Sequence, residues 1–229
     1  MKSLVLLSSG LDSIVNFKKA YDEMKVKLIL TFDYGQASAK KEIMASSMVA
    51  KKFDVEHRVI KLDFLRDISS ALKKNNIPAF DEKRFEDNNY TKETAKAVWV
   101  PNRNGLFINI AASFCEVYEI DYIVVGFNKE EAKTFPDNSK KFMKKINSSL
   151  KFSTLYNPEV YSYTIDMIKS EIVKEGFKVK APFEYLWSCY NDGVKMCGVC
   201  ESCQRLKRAL KVNNFYEDFL NINMWGFEK

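Results

Sequence analysis

Two sets of residues have the types and spacing to do chemistry. The first is Cys189-x7-Cys197-x2-Cys200-x2-Cys203, four soft ligands in one compact stretch, with Gly198 allowing the chain to turn sharply between them. Four thiolates at this spacing suit a closed, tetrahedral zinc site with Zn–S near ~2.3 Å, which is structural because no coordination position stays open. An iron–sulfur cluster, or two disulfides in an oxidising compartment, are the alternatives. The second set is the loop Leu7-Ser8-Ser9-Gly10-Leu11-Asp12-Ser13, which follows the apolar run Leu4 to Leu7 and opens a stretch with helical spacing. The first amides of such a helix have no intrahelical partner and, with the helix dipole, attract an anion such as a phosphate. Gly10 lets the backbone come close, Ser8, Ser9 and Ser13 offer hydroxyl donors, and Asp12 is expected as the N-cap. The loop has no lysine, so it matches neither the Walker A pattern nor the dinucleotide fingerprint.

The elements that must hold these groups read as alternating strands and helices. Val26 to Phe32 is a continuous apolar run ending in Asp33-Tyr34-Gly35-Gln36, Lys40 to Phe53 reads as a helix with Ile43, Met44, Met48 and Val49 on one side, and Val55 to Leu62 as a strand. Such runs between helical patterns predict a parallel sheet covered on both faces, with ligands beyond the carboxyl ends of the strands. The polar stretch Lys73 to Ala97 reads as a mobile loop or lid. Leu106 to Tyr118 has the pattern of a buried helix entered through Pro101, and Asp121 to Phe127 that of a short strand. A second polar loop, Lys129 to Asp137, precedes a helix carrying Phe142, Ile146 and Leu150. Val160 to Tyr163 is a further strand, and Thr164 to Lys174 a helix containing Lys169 and stopped by Gly176. The expected fold is therefore an α/β doubly wound parallel sheet over residues 1–180 with a small zinc-binding region over 181–229.

Composition bounds the setting. With 46% hydrophobic and 29% charged residues, and no apolar run long enough to span a bilayer, the chain reads as a soluble globular protein with no membrane partner. Met1-Lys2-Ser3-Leu4 passes straight into the first strand without the layout of a secretory leader, so a cytoplasmic location is expected. That compartment favours metal over disulfides for the clustered cysteines. Cys115 lies apart in an apolar run and reads as a small buried hydrophobe. The net charge of +6 favours anionic ligands, but the lysines are scattered, and no nucleic-acid partner is expected. His57, the single histidine, sits mid-strand and reads as structural.

Ser8-Ser9-Gly10-Leu11-Asp12-Ser13 resembles the S-G-G-x-D-S pyrophosphate loop of the ATP pyrophosphatases, with Ser9 in place of the first glycine. Over nearly the whole chain the sequence resembles the QueC family of 7-cyano-7-deazaguanine synthases. The resemblance runs through Asp33-Tyr34-Gly35-Gln36, Val100-Pro101-x-Arg103-Asn104, Gly126-x-Asn128, Pro136-Asp137, Lys169-x-Glu171-Ile172 and Trp187-Ser188-Cys189-Tyr190 with the later cysteines. It departs where Ala37 and Ser38 replace an Arg-His pair and Glu42 falls one residue late, where Asn138-Ser139 replaces Cys-Arg, and where Arg205 and Lys207 bracket a usual arginine. The resemblance implies an ATP-dependent ligase of queuosine or archaeosine biosynthesis that turns 7-carboxy-7-deazaguanine and ammonia into the nitrile, with AMP and pyrophosphate released and Mg²⁺ assisting. In that picture Leu7 to Ser13 hold pyrophosphate, Asp12 caps the helix or helps place the metal, and Arg103, Asp137 and Lys169 contact substrate or phosphates. No Cys-His glutaminase pair is evident, so ammonia arrives free; a homodimer is left open. Two rivals remain: an enzyme of the same superfamily acting on tRNA or another carrier, and a zinc-bearing binding module whose nucleotide loop has decayed.

Overall fold

The computed structural model describes residues 1–73, 80, 81, 90 and 98–228. Five strands form one all-parallel sheet: β1 (Lys2–Leu6), β2 (Lys25–Asp33), β3 (Glu56–Lys61), β4 (Tyr122–Val124) and β5 (Glu159–Tyr161), in the order β3-β2-β1-β4-β5. The helices are α1 (Leu11–Glu23), α2 (Ala39–Phe53), the short α3 (Phe64–Ile68) and α4 (Ser70–Lys73), α5 (Arg103–Tyr118), α6 (Lys140–Ser153), α7 (Lys169–Lys178), α8 (Glu201–Val212) and α9 (Tyr216–Ile222). Parallel strands need crossovers, and here α1 and α2 serve that purpose for β1 to β3 while α6 links β4 to β5. The direction of winding reverses between β1 and β4, which opens a crevice at their carboxyl ends.

Because strand side chains alternate, one sheet feeds two cores. Val5, Ile29 and Val124 pack with α1, α2 and α7, whereas Leu4, Leu28, Leu30 and Ile123 pack with α5 and Leu150 of α6. The first core continues without a break into the C-terminal region: Leu186, Trp187, Met196, Leu206, Leu210, Phe219 and Trp225 are buried in it together with three of the clustered cysteines. The region from Ala181 to Phe227 thus contributes to the core that also supports α1.

Three local expectations change. Met44 lies on the outer side of α2 and is 40% exposed, because Ala45, Ser46, Val49 and Ala50 form the buried stripe. Lys169 is the first residue of α7, not an interior one. Thr164 is held out of the helix by its hydroxyl, which donates to Phe127 O at 2.7 Å and accepts from Asn16 Nδ2 at 2.6 Å. Gly176 lies inside α7, which runs on to Lys178 and leaves through Val179. Its role is packing: a Cβ there would meet Phe183 Cζ at 2.2 Å and Val15 Cγ2 at 2.9 Å. The lid expected over Lys73 to Ala97 falls mostly outside the described residues; within it Phe80 is buried and its N–H donates to Val199 O at 2.9 Å. His57 sits mid-β3 with Nε2 2.9 Å from the Thr31 hydroxyl and Nδ1 3.1 Å from that of Ser47, consistent with a structural role. Among the described residues no helix is long and apolar enough to cross a membrane.

Gly176→Ala should lower the midpoint of urea unfolding. The 2.2 Å approach to a buried ring makes overpacking, typically about 1–3 kcal/mol, outweigh the roughly 1 kcal/mol by which alanine exceeds glycine as a helix former.

Candidate active site

A cavity of about 300 Å³ lies beyond the carboxyl ends of β1, β2 and β4. Gly10 is the N-cap of α1, with extended backbone, and the first intrahelical bond runs from Ile14 N–H to Gly10 O. The amides of Leu11, Asp12 and Ser13 precede that bond and have no intrahelical acceptor, and all three residues line the cavity. The expected capping by Asp12 is therefore corrected: Asp12 is in the first turn, and its carboxylate is drawn to Lys169 instead. Gly10 needs no special dihedral, at φ −68°, and a Cβ there would be only in ordinary contact with Ser8 Oγ; what glycine leaves is room on the cavity side. The loop is tightened by Ser13 Oγ donating to Gly10 O at 3.1 Å and by Ser8 Oγ 3.3 Å from Ser13 Oγ.

Ser9 behaves differently from its neighbours. Its φ of +61° lies in the left-handed region, which costs a residue bearing a Cβ roughly 1–2 kcal/mol. The conformation is held from three sides: Ser9 Oγ pairs with Ser46 Oγ at 2.9 Å, Ser46 donates on to Leu7 O at 3.0 Å, and Ser9 O accepts from Trp187 N–H at 2.9 Å. The side chain is fully buried and turned toward α2, so its hydroxyl is not one of the donors facing the cavity.

Lys169, at the start of α7, reaches into the cavity with its ammonium 2.5 Å from Asp12 Oδ2 and 2.7 Å from Glu131 Oε1. Burial pushes the Asp12 carboxyl up to about 6 although Lys169 pulls against it. For Glu131 burial also opposes ionisation, but the lysine wins and the carboxyl stays below its ordinary value. Burial disfavours the Lys169 charge in turn, and the two carboxylates more than restore it. Asp12 Oδ1 is buried without a hydrogen-bond partner. The neighbouring Glu130 accepts from the Lys169 backbone N–H at 2.8 Å and from Arg205 Nη1 at 3.1 Å, tying the start of α7 to the cysteine-bearing helix α8.

Arg103 also lines the cavity, from the first turn of α5, and donates through Nη1 to the Tyr34 hydroxyl at 3.0 Å. Asp137 stands behind it rather than in the cavity wall. Its Oδ2 accepts from Asn104 N–H at 3.2 Å and its backbone carbonyl from Asn104 Nδ2 at 3.2 Å, so it steadies the helix start that carries Arg103. Gly126 was visible only as part of a motif, yet it decides how closely β4 approaches the loop: a Cβ there would lie 2.8 Å from Ser13 N. Glu130 and Glu131 escaped sequence reasoning, although two adjacent acids just past a strand end were a signal.

The four cysteines bring their Sγ atoms within 4.8 Å of one another and can hold a metal ion. Cys200 is the N-cap of α8, Cys203 lies in its first turn, and Gly198 turns the chain with φ +72°. Backbone N–H groups point at the sulfurs, Asn191 and Cys197 to Cys189 Sγ and Cys200 to Cys197 Sγ, each at 3.4 Å. Such donors stabilise thiolates and orient ligands toward a metal. Cys115 is fully buried in α5, where desolvation pushes its thiol up to about 12, so it is no nucleophile.

The family model described as queuosine biosynthesis protein QueC matches residues 2–214. The chain belongs to the QueC family. Relatives named 7-cyano-7-deazaguanine synthase include one from Pelotomaculum thermopropionicum, 48% identical over 92% of this chain and 97% of its own length. Others come from Methanosarcina mazei (44% identical, 92% and 94% covered) and Desulforudis audaxviator (45%, 91% and 96%). As a QueC-family protein the chain is an enzyme, and the ionic cluster around Lys169 is built from three separate segments of it.

Lys169→Met should leave Asp12 and Glu131 facing each other without a cation, at a cost of about 3–5 kcal/mol. Glu131→Gln in the same background should recover part of the loss. Urea unfolding of the three proteins measures both.

Proposed function

We propose that the cavity converts 7-carboxy-7-deazaguanine and ammonia into 7-cyano-7-deazaguanine at the expense of ATP. The reading is carried by one observation: the open N-terminus of α1, the cations Lys169 and Arg103, and the Trp187–Tyr190 segment all line the same cavity in a chain of this family. The unpaired helix start at the loop speaks against a decayed binding module, and the buried Cys115 against a thiolating member of the same superfamily.

The chemistry needs two activations. A carboxylate oxygen attacks the α-phosphorus of ATP and expels pyrophosphate, and ammonia then displaces AMP to leave the amide and a proton. The amide oxygen attacks a second ATP in the same way, and loss of AMP together with both amide N–H protons leaves the nitrile. Both carboxylate oxygens depart on AMP. The first-turn amides of α1 with Ser8 and Ser13 would hold the pyrophosphate, while Arg103 and Lys169 offset charge on the reacting groups. Ser9 would contribute its backbone alone. Asp12 Oδ1, buried and unpartnered at the loop, would be one oxygen for Mg²⁺. Magnesium, when bound, shares the negative charge of the phosphates. Ammonia arrives free, because the single histidine is engaged by Thr31 and Ser47.

Zinc fits the four thiols as a structural ion, since sulfurs ~2.3 Å from a tetrahedral centre lie within the observed spacing. Purified protein should carry one zinc per chain by elemental analysis, and Cys200→Ser should lose metal and stability together. A folded protein without metal would exclude this assignment.

A product time course by mass spectrometry should give two AMP per nitrile from the carboxylate and one from supplied 7-amido-7-deazaguanine without ammonia. A ratio near one from the carboxylate, or failure to use the amide, would return the substrate question to the other enzymes of the superfamily.

A further inference from the structure

Three carboxylates line the cavity among the described residues: Asp12, Glu131 and Glu42. The first two are spent on Lys169. Glu42, from the first turn of α2, makes its hydrogen bonds with neutral donors instead. Its Oε1 accepts from the Ser38 hydroxyl at 2.6 Å and its Oε2 from Gln36 Nε2 at 3.1 Å. Gln36 is itself pinned, donating to Phe32 O at 2.9 Å and accepting from Tyr34 N–H at 2.9 Å, so the carboxylate is held in place by a fixed partner. Each carboxylate oxygen can accept more than one bond, so each Glu42 oxygen keeps capacity for a further donor beside Ser38 and Gln36. Burial raises its pKa and the Ser38 and Gln36 bonds oppose the rise. Further N–H donors would act in the same direction as those bonds.

The surroundings are those of a flat heterocycle rather than a phosphate. Phe32 and Phe107 stack with ring centroids 4.0 Å apart, Tyr34 lies 5.5 Å from Phe107, and all three line the cavity beside Glu42. A triphosphate would be repelled by this carboxylate. Adenine presents a single amino donor next to a ring-nitrogen acceptor, which mismatches two oxygens. A 7-deazaguanine presents a ring N–H beside an exocyclic amino group, two parallel donors that match.

Resting on the functional reading above, we propose that Glu42 is the specificity residue that accepts both donors of the 2-amino-4-oxo edge of the deazapurine. Arg103, with further N–H donors beyond the one given to Tyr34, serves the oxygens elsewhere on the same substrate.

The test is calorimetric binding of 7-cyano-7-deazaguanine, of its analogue lacking the 2-amino group, and of ATP, each to the zinc-loaded full chain. The wild type should bind the parent base at least about tenfold more tightly than the analogue, the range for hydrogen bonds to a charged group. Glu42→Gln should bind the parent base at least about tenfold more weakly, lose the discrimination, and keep ATP affinity within about twofold. Glu42→Asp, which retains the charge on a shorter arm, should restore part of the discrimination. In turnover the Glu42→Gln loss should fall on KM for the base more than on kcat. Discrimination kept intact in Glu42→Gln, or a loss of ATP affinity in its place, overturns the assignment alone. A wild type that binds ATP but neither base overturns the functional reading, and this assignment with it.

Discussion

The ammonium of Lys169, buried between Asp12 and Glu131, is the interaction on which the site depends. Burying the Lys169 and Asp12 charges beside a half-buried Glu131 is costly, and the arrangement survives only because each charge has a partner at hydrogen-bond distance. Its value lies in where the groups come from. Asp12 belongs to the first turn of α1, Glu131 to the segment after β4 and Lys169 to the start of α7. The cluster therefore sets how the two sides of the crevice meet. Glu130 extends it, bonding the Lys169 backbone on one side and Arg205 of the cysteine-bearing helix on the other. A disturbance at the cysteines thus has a short bonded route to the cationic centre.

A second tie fixes the loop itself. Ser9 occupies a left-handed conformation that glycine would adopt without cost, and its carbonyl accepts from Trp187, two residues before the first clustered cysteine. The hydroxyl that the substitution added is used on Ser46 of α2 and leaves the cavity side to backbone amides. The C-terminal region accordingly contributes directly to the shape of the loop that opens α1. Gly126 does the same from β4, since its missing side chain lets the strand end press against the start of α1.

Continuous apolar runs of strand length specified a parallel sheet covered on both faces, because each strand had to feed two cores. The turn chemistry of Gly198 and the spacing of Cys189, Cys197, Cys200 and Cys203 specified a convergent set of thiols, because both are properties of a few consecutive residues. The family was readable for the same reason, its motifs being local. Helix limits around Thr164, Lys169 and Gly176 were not readable, since they depend on contacts with Asn16, Phe127, Phe183 and Val15 far away in the chain.

By itself, then, the sequence determined the fold class, the cluster of cysteines able to hold a metal ion and the loop that opens α1, all features set by local pattern. Only the tertiary structure decided the assignments of the individual charges. Asp12 looked like a helix cap until Lys169 drew it away, Asp137 is bonded to the helix start that carries Arg103, and Glu42 looked like a misplaced acid and faces the cavity. The physical reason is that a carboxylate's role is set by whichever donors surround it in a low-dielectric site, and here those donors come from segments more than a hundred residues apart for Asp12 and Lys169.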